Sequence, residues 1–302
     1  MKLIRFGEPN KEFPGILLED AERLDVSAYT RNYDETFFAD GGLPGPRGMA
    51  VEKRIVTTSR PSFGSPRTPH RPTQQDRVYR PGLPRPRDRK WHGDPERAVI
   101  FFKSTTSLVG PNDDLVIPKN GTKVDWEVEL AVVIGRRASY VERDEALDYV
   151  AGYALHNDDS ERVFQLERGG QWVQGKSAVT FAPFGPFLAT RDEISDTTKL
   201  GMWLKVNGSY RQRSSTSQMI FDVPTLVSYV SQFMTLLPGD MISTLTPAGV
   251  GLGMKPQQYL NPEDVVELGI NQPGESRQNV VACGLQLLNR AFPVHHDQTR
   301  KA

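Results

Sequence analysis

Two carboxylates spaced two apart in an apolar run are the first chemistry this sequence offers. In DWEVELAVVIG, Glu127 and Glu129 stand among Val and Leu residues that favour a strand, and strand alternation puts both side chains on one face. Like charges held side by side are costly unless a proton or a cation offsets them. The pair therefore suggests a hard divalent ion with oxygen ligands, although the same spacing also occurs on an ordinary solvated strand face. A third carboxylate comes from HNDDSERVFQ, where Asp158 and Asp159 follow the apolar stretch YVAGYAL. At a strand end it would complete a triad with open water positions, while Asn157 and Asp159 could equally make an Asx turn capping a short helix. His156 reads as structural, because hard cations prefer oxygen.

Two further segments could act on a bound anion. In GGQWVQGKSAVTFAPFGPF, Lys176 sits in a glycine-flanked loop, and a lysine beside a metal can offset carboxylate or enolate charge. In LLPGDMISTLTPAGVGLG, Thr246, Pro247, Ala248 and Gly249 form a tight loop able to offer a hydroxyl and backbone N–H groups. Either segment read alone is a solvated lysine or a plain turn.

The elements around these residues are mainly short strands broken by Gly, Pro and Asn turns. Strands are expected at Met1 to Phe6, around Gly15 to Leu18, and in EVELAVVIG and MWLKVNG (Met202 to Gly208). Two helices are expected, near Glu142 to Val150 and near Val223 to Phe233, the second with Asp222 as cap and Pro224 in its first turn. The fold class is α+β, mainly β. Residues 1–43 read as a small β-rich N-terminal piece too short to fold alone, 98–285 as the catalytic domain, and 286–302 as a flexible tail.

Lys plus Arg and Asp plus Glu are 37 each, so no global field draws nucleic acid or an anionic membrane. A small-molecule substrate is the better expectation. Cys283 is the only cysteine, which excludes an internal disulfide or a cysteine zinc cage and suits a reducing compartment. With no apolar leader and no membrane-length apolar window, the expected location is the cytoplasm.

Together and in this order, the four segments resemble the catalytic domain of the fumarylacetoacetate hydrolase family, from about Phe101 to Ile270. The family pattern is E-x-E in a strand, then ND-x-S-x-R-x-x-Q, then QW-x-x-GKS, then F-M-T-L-x-PGD-x-I-x-TGTP-x-GVG. The resemblance implies Glu127, Glu129 and Asp158 as ligands of Mg²⁺ or Mn²⁺. It implies Lys176 and Gln165 as catalytic residues, and Arg162, Thr246, Gly175 and Thr180 as substrate-binding or supporting ones. It also implies a mixed β-roll or flattened barrel, a homodimer, and cleavage of a C–C bond in a small 2-oxo or 2,4-dioxo acid through a metal-chelated enolate. The N-terminal piece and GPNDDLVIP look most like acylpyruvase or diketo-deoxy-sugar-acid hydrolases, with ureidoglycolate lyase among the relatives.

The chain departs from the pattern at three positions of the site. Leu245 replaces the glycine of TGTP, Val179 replaces an aspartate three residues after the lysine, and Asp159 stands where an apolar residue is common. The largest departure lies upstream. The family carries a lid motif, C-I-G-x-N-Y-x-x-H-x-x-E, whose His and Glu act on the catalytic water, and this chain has none. Instead, residues 44–97 are crowded with Pro, Arg, Ser and Thr, a composition that reads as a disordered linker or a basic nucleic-acid arm.

A shift of reading frame accounts for it better. With suitable synonymous codons, the bases encoding Val78 to Pro95 give C-I-G-L-D-Y-R-D-H-A-T-E-N-G-M-A-I-P in the adjacent frame. The expectation is that two compensating insertions or deletions put a segment from after about Leu43 to near Arg97 out of frame. The chain would then keep its metal site and lack the acid and base of the lid, a loss typically worth about a hundredfold to ten-thousandfold in rate. A catalytically disabled binding homologue or dimerisation partner is the alternative function, and an oxo-acid decarboxylase, isomerase or ureidoglycolate lyase another.

Overall fold

The computed structural model describes residues 1–7, 12–19, 21–42, 78–79, 97–244 and 246–284. The expectations for the bulk of 44–97, for Leu245 and for the tail 286–302 lie outside these residues. In chain order the strands are β1 (Lys2–Phe6), β2 (Phe13–Leu17), β3 (Arg23–Asp25), β4 (Val78–Tyr79), β5 (Leu108–Val109), β6 (Leu115–Ile117), β7 (Val124–Asp125), β8 (Val128–Ile134) and β9 (Val150–Asn157). They continue with β10 (Ser160–Glu161), β11 (Ala182–Pro183), β12 (Leu188–Thr190), β13 (Gly201–Val206), β14 (Ser209–Ser215), β15 (Met241–Ser243), β16 (Val265–Ile270) and β17 (Gly274–Ala282). Helices are short: α1 (Glu35–Ala39), α2 (Arg162–Leu166), α3 (Val173–Lys176) and α4 (Val223–Ser231).

Eight strands form one sheet in the order β3-β2-β1-β12-β9-β8-β15-β4, and five form another in the order β14-β13-β16-β17-β6. Both are open at their edges among the described residues. The mainly β class is as expected, built as open sheets with no closed barrel among the described residues. The N-terminal strands extend the larger sheet, since Lys2 and Leu3 pair with Ala189 and Leu188.

The strand β8 explains how an apolar run comes to carry carboxylates. All seven residues are buried. Val128, Leu130, Val132 and Ile134 enter one hydrophobic core, while Ala131 and Val133 enter the other. Because both faces are buried, a one-residue slip would exchange them and drive Glu127 and Glu129 into the core that holds Val128 and Leu130, where an unpaired carboxylate is strongly disfavoured. Glu127 and Glu129 continue the Ala131–Val133 face, and that register aims them together.

Of the two expected helices, the second is α4, with Asp222 accepting from Thr225 N at 3.0 Å and Pro224 in its first turn. The first is a 3₁₀ segment, Arg143–Tyr149, packed against α4. Its N-cap, Glu142, makes no side-chain cap bond, and the Arg143 guanidinium reaches out to Asp222 at 2.6 Å.

Candidate metal and catalytic centre

Glu127, Glu129 and Asp158 meet at the end of β8 and β9, each fully buried, with one carboxylate oxygen apiece all within 4.8 Å of one another. Backbone pairing places them. Asp158 N donates to Glu127 O at 2.9 Å, continuing the β8–β9 ladder by one step. The Asn157 side chain accepts from Glu127 N at 3.0 Å and donates to Gln278 on β17 at 3.2 Å. Ser243, at the end of β15, donates to Glu129 Oε2 at 2.6 Å.

Three buried cations face these acids. Lys176 Nζ bridges Glu127 Oε2 at 2.7 Å and Asp158 Oδ2 at 2.6 Å. Lys103 Nζ lies 2.6 Å from Asp158 Oδ1. Arg162 binds Asp125 at 2.8 Å and Glu127 Oε1 at 2.7 Å, and donates to Gln165 Oε1 at 2.9 Å. Burial works against the Arg162 charge, but Asp125 and Glu127 outweigh it and hold the guanidinium above its ordinary range. A fully buried ion-pair cluster needs this many partners, because stranding one buried charge costs several kcal/mol.

The cations reach the acids through local structure that the sequence dictates. Glu161 caps α2, accepting from Val163 N at 3.0 Å and Phe164 N at 3.3 Å, so that Arg162 opens the helix pointing inward. Gly175 lets α3 lie against α2, since a Cβ there would meet Glu161 O and Gln165 Cβ at 2.5 Å. That close approach delivers Lys176.

The other expected site residues do less direct work. Gln165 is buried beside Gly175 as the partner of Arg162. The Thr180 hydroxyl accepts from Val116 N at 2.8 Å and ties down β6, with Thr180 itself at φ 72°. The Thr246 hydroxyl accepts from Gln212 Nε2 at 2.8 Å and donates to Val128 O at 3.2 Å. Gln212 also accepts from Val128 N at 3.0 Å and donates to Pro247 O at 2.8 Å, fixing that loop to β8.

Asp158 is in the acidic cluster and Asp159 is outside it. Both Asp159 carboxylate oxygens are buried without a hydrogen-bond partner among the described residues, and burial pushes its carboxyl well above the usual range. His156 is likewise outside the cluster, with Nδ1 2.9 Å from Pro183 O and its pKa lowered to about 4 by burial. Sequence reasoning missed Lys103, Asp125, Ser243 and Gln212.

Known proteins give this architecture a place. Residues 73–281 match the family described as fumarylacetoacetate (FAA) hydrolase C-terminal. The chain belongs to the fumarylacetoacetate hydrolase family. A Burkholderia multivorans relative, provisionally named a hydrolase, is 42% identical over 287 residues, covering 92% of this chain and 98% of the relative. The structure of maleylpyruvate hydrolase from Sphingobium sp. SYK-6, in complex with manganese(II) ion and pyruvate, is 29% identical with a TM-score of 0.73, covering 94% of this chain and 100% of that one. The structure of 2-hydroxyhepta-2,4-diene-1,7-dioate isomerase from Mycobacterium marinum is 30% identical with a TM-score of 0.71, covering 94% and 99%. The family is thus one of enzymes, hydrolases and isomerases among them, and a divalent ion accompanies one of these neighbours.

Proposed function

We propose that this chain binds one divalent ion, Mg²⁺ or Mn²⁺, on Glu127, Glu129 and Asp158, and acts on a small 2-oxo or 2,4-dioxo acid by breaking a C–C bond. The observation that carries this reading is the donor set: three buried carboxylates within 4.8 Å, with no sulfur and no imidazole among them. Oxygen-only sites of this kind suit hard divalent ions. When bound, the ion would supply Lewis acidity that stabilises enolate charge on a chelating oxo acid.

The chain's own residues supply the rest. Lys176 is a buried ammonium already on Glu127 and Asp158, placed to offset a substrate carboxylate beside them. Arg162 and Gln165 keep Glu127 aimed into the site. Burial of every group excludes water, which strengthens each of these interactions. Chain and neighbours share a family with a pyruvate-bound member, which supports an oxo acid as substrate class. A homodimer in the cytoplasm is part of the same proposal. Among the described residues, no helix is long and apolar enough to cross a membrane.

A second reading keeps the metal site without the hydrolytic turnover. It is favoured by the sequence, where the lid motif H-x-x-E is missing and Val179 replaces the loop aspartate. A decarboxylase or isomerase falls between the two, since it demands less of a water-activating base; one neighbour is named an isomerase.

The test offers an acylpyruvate, oxaloacetate and a 2,4-diketo-3-deoxy-sugar acid to the purified chain with Mg²⁺ or Mn²⁺, alongside Glu129→Gln. Metal-dependent turnover of one of them, abolished in the variant, is the expected result. Metal binding with no turnover of any would favour the disabled homologue, and no metal binding at all would end both readings. Sequencing codons 40 to 100 from genomic DNA decides whether the lid belongs to the natural protein.

A further inference from the structure

Lys103 belongs to none of the sequence motifs above, yet its side chain ends on Asp158. Its Nζ lies 2.6 Å from Asp158 Oδ1 and donates to Asp159 O at 3.1 Å, with both side chains fully buried. Lys176 takes the other oxygen of Asp158, Oδ2, together with Glu127 Oε2. The carboxylate of Asp158 is thereby gripped at both ends, with one oxygen turned toward Glu127 and the other toward Lys103.

The run that carries Lys103 also touches the segment that carries Lys176. The Phe101 ring lies 5.4 Å from Lys176 Nζ and packs against Trp172 with ring centroids 5.2 Å apart. One residue beyond Lys103, Ser104 N donates to Ser177 Oγ at 2.8 Å. Four consecutive residues thus join Asp158, one residue past the end of β9, to the segment that carries Lys176.

We infer that Lys103 is a positioning residue: by holding the outer oxygen of Asp158 and the carbonyl of Asp159, it sets the orientation in which Asp158 presents its inner oxygen to Glu127 and Glu129. The inference rests on the reading of those three carboxylates as metal ligands. Two physical effects oppose each other when Lys103 is removed. Losing a positive charge close to a divalent ion would by itself tighten the ion's binding. Losing the partner that orients a ligand loosens it, by about ten- to a hundredfold where such partners have been removed elsewhere. The sign of the change therefore separates a positioning residue from a bystander charge.

The experiment titrates Mn²⁺ into the full chain by calorimetry and records the electron paramagnetic resonance spectrum of the bound ion, for wild type, Lys103→Met, Lys103→Arg and Asp158→Asn. Expected are one ion per chain in wild type, none in Asp158→Asn, and binding weaker by about tenfold or more in Lys103→Met with a broadened spectrum. Lys103→Arg, which keeps the charge and the donors, should bind more tightly than Lys103→Met. Binding in Lys103→Met that is unchanged or tighter overturns the inference, as does an arginine variant no better than methionine. If wild type takes up no Mn²⁺, or Asp158→Asn binds as well as wild type, the ligand assignment itself falls, and the Lys103 role falls with it. Should Lys103→Met fail to show a cooperative thermal transition, Lys103→Gln is measured against the same criteria.

Discussion

Glu127 and Glu129 lead into and lie on a seven-residue strand locked between two neighbours, whereas Arg162 and Lys176 ride on helices of five and four residues. The acids are positioned by register, which the two differently packed faces of β8 fix. The bases are positioned by helix packing at Gly175, by the cap at Glu161, and by the acids themselves. Helices this short have little stability of their own. The anionic half of the site is therefore the frame, and the cationic half is fitted to it.

The sharpest way to break this arrangement is Glu127→Ala, which takes a carboxylate from Arg162 and Lys176 at once and leaves them only Asp125 and Asp158 as acid partners among the described residues. Urea denaturation should show a loss of about 3–5 kcal/mol, and divalent-ion binding should vanish with it. An unchanged midpoint would mean that the cations do not depend on the frame.

Lys176→Met removes the ammonium between Glu127 and Asp158 but leaves each acid another cation, Arg162 or Lys103. The ion-free protein should lose about 3 kcal/mol. Because a divalent ion replaces the missing positive charge, Mn²⁺ should raise the Tm of this variant more than that of wild type. Equal shifts would argue against a shared location.

His156 sharpens the comparison from the strand side. Its pKa is lowered to about 4 by burial, against about 6.5 for the unfolded chain. Between these values the unfolded state binds a proton that the native state does not, so stability falls as pH drops from about 6.5 toward 4. The loss approaches about 3 kcal/mol at the acid end. In His156→Asn, ion-free denaturation midpoints should fall less steeply over that window; an identical slope would assign the acid loss to other groups.

Gly175→Ala tests the helix packing, with the smallest effect. Its Cβ would meet the Glu161 carbonyl at 2.5 Å and the Gln165 amide at 2.6 Å, so α3 must move away. About 1–3 kcal/mol of stability should go, together with the near-contact of Lys176 and Asp158, read as a weaker Mn²⁺ response. A Tm equal to wild type would show that α3 has room to spare.

What the sequence made legible follows the same division. Alternation and apolar runs located β8, β9 and their carboxylates, because a period of two is written directly into consecutive residues. The cap and proline of α4 were legible for the same local reason. The chain of partners behind the site was not. Lys103 lies 55 positions from Asp158 and Ser243 lies 114 from Glu129, and no local pattern announces such pairings. The apolar run that Lys103 terminates, VIFFK, is the one available hint of a buried cation. Arg162, Gly175, Thr180 and Thr246 came from resemblance as substrate-binding residues. The structure gives each a partner within the protein, so any substrate contact is additional to a structural task. Asp125 was invisible because its carboxylate serves backbone amides of the distant Gly251 and Leu252 as well as Arg162.

The pairing of β17 with β6 reaches further than the sheet it completes. The two strands run parallel, Val280 beside Leu115, and the hydrogen bonds next to them from Ser276 and Gln278 to Pro111 span 165 and 167 residues. Asn157, which holds the amide of Glu127, leans on Gln278 of β17, the last strand among the described residues. On the ribosome, then, the carboxylates emerge more than a hundred residues before the strand that buttresses them, leaving the β6 edge unpaired through much of translation. Nascent chains halted before residue 274 would bear all three acids in a sheet that lacks its final buttress, and they are the species a chaperone would meet.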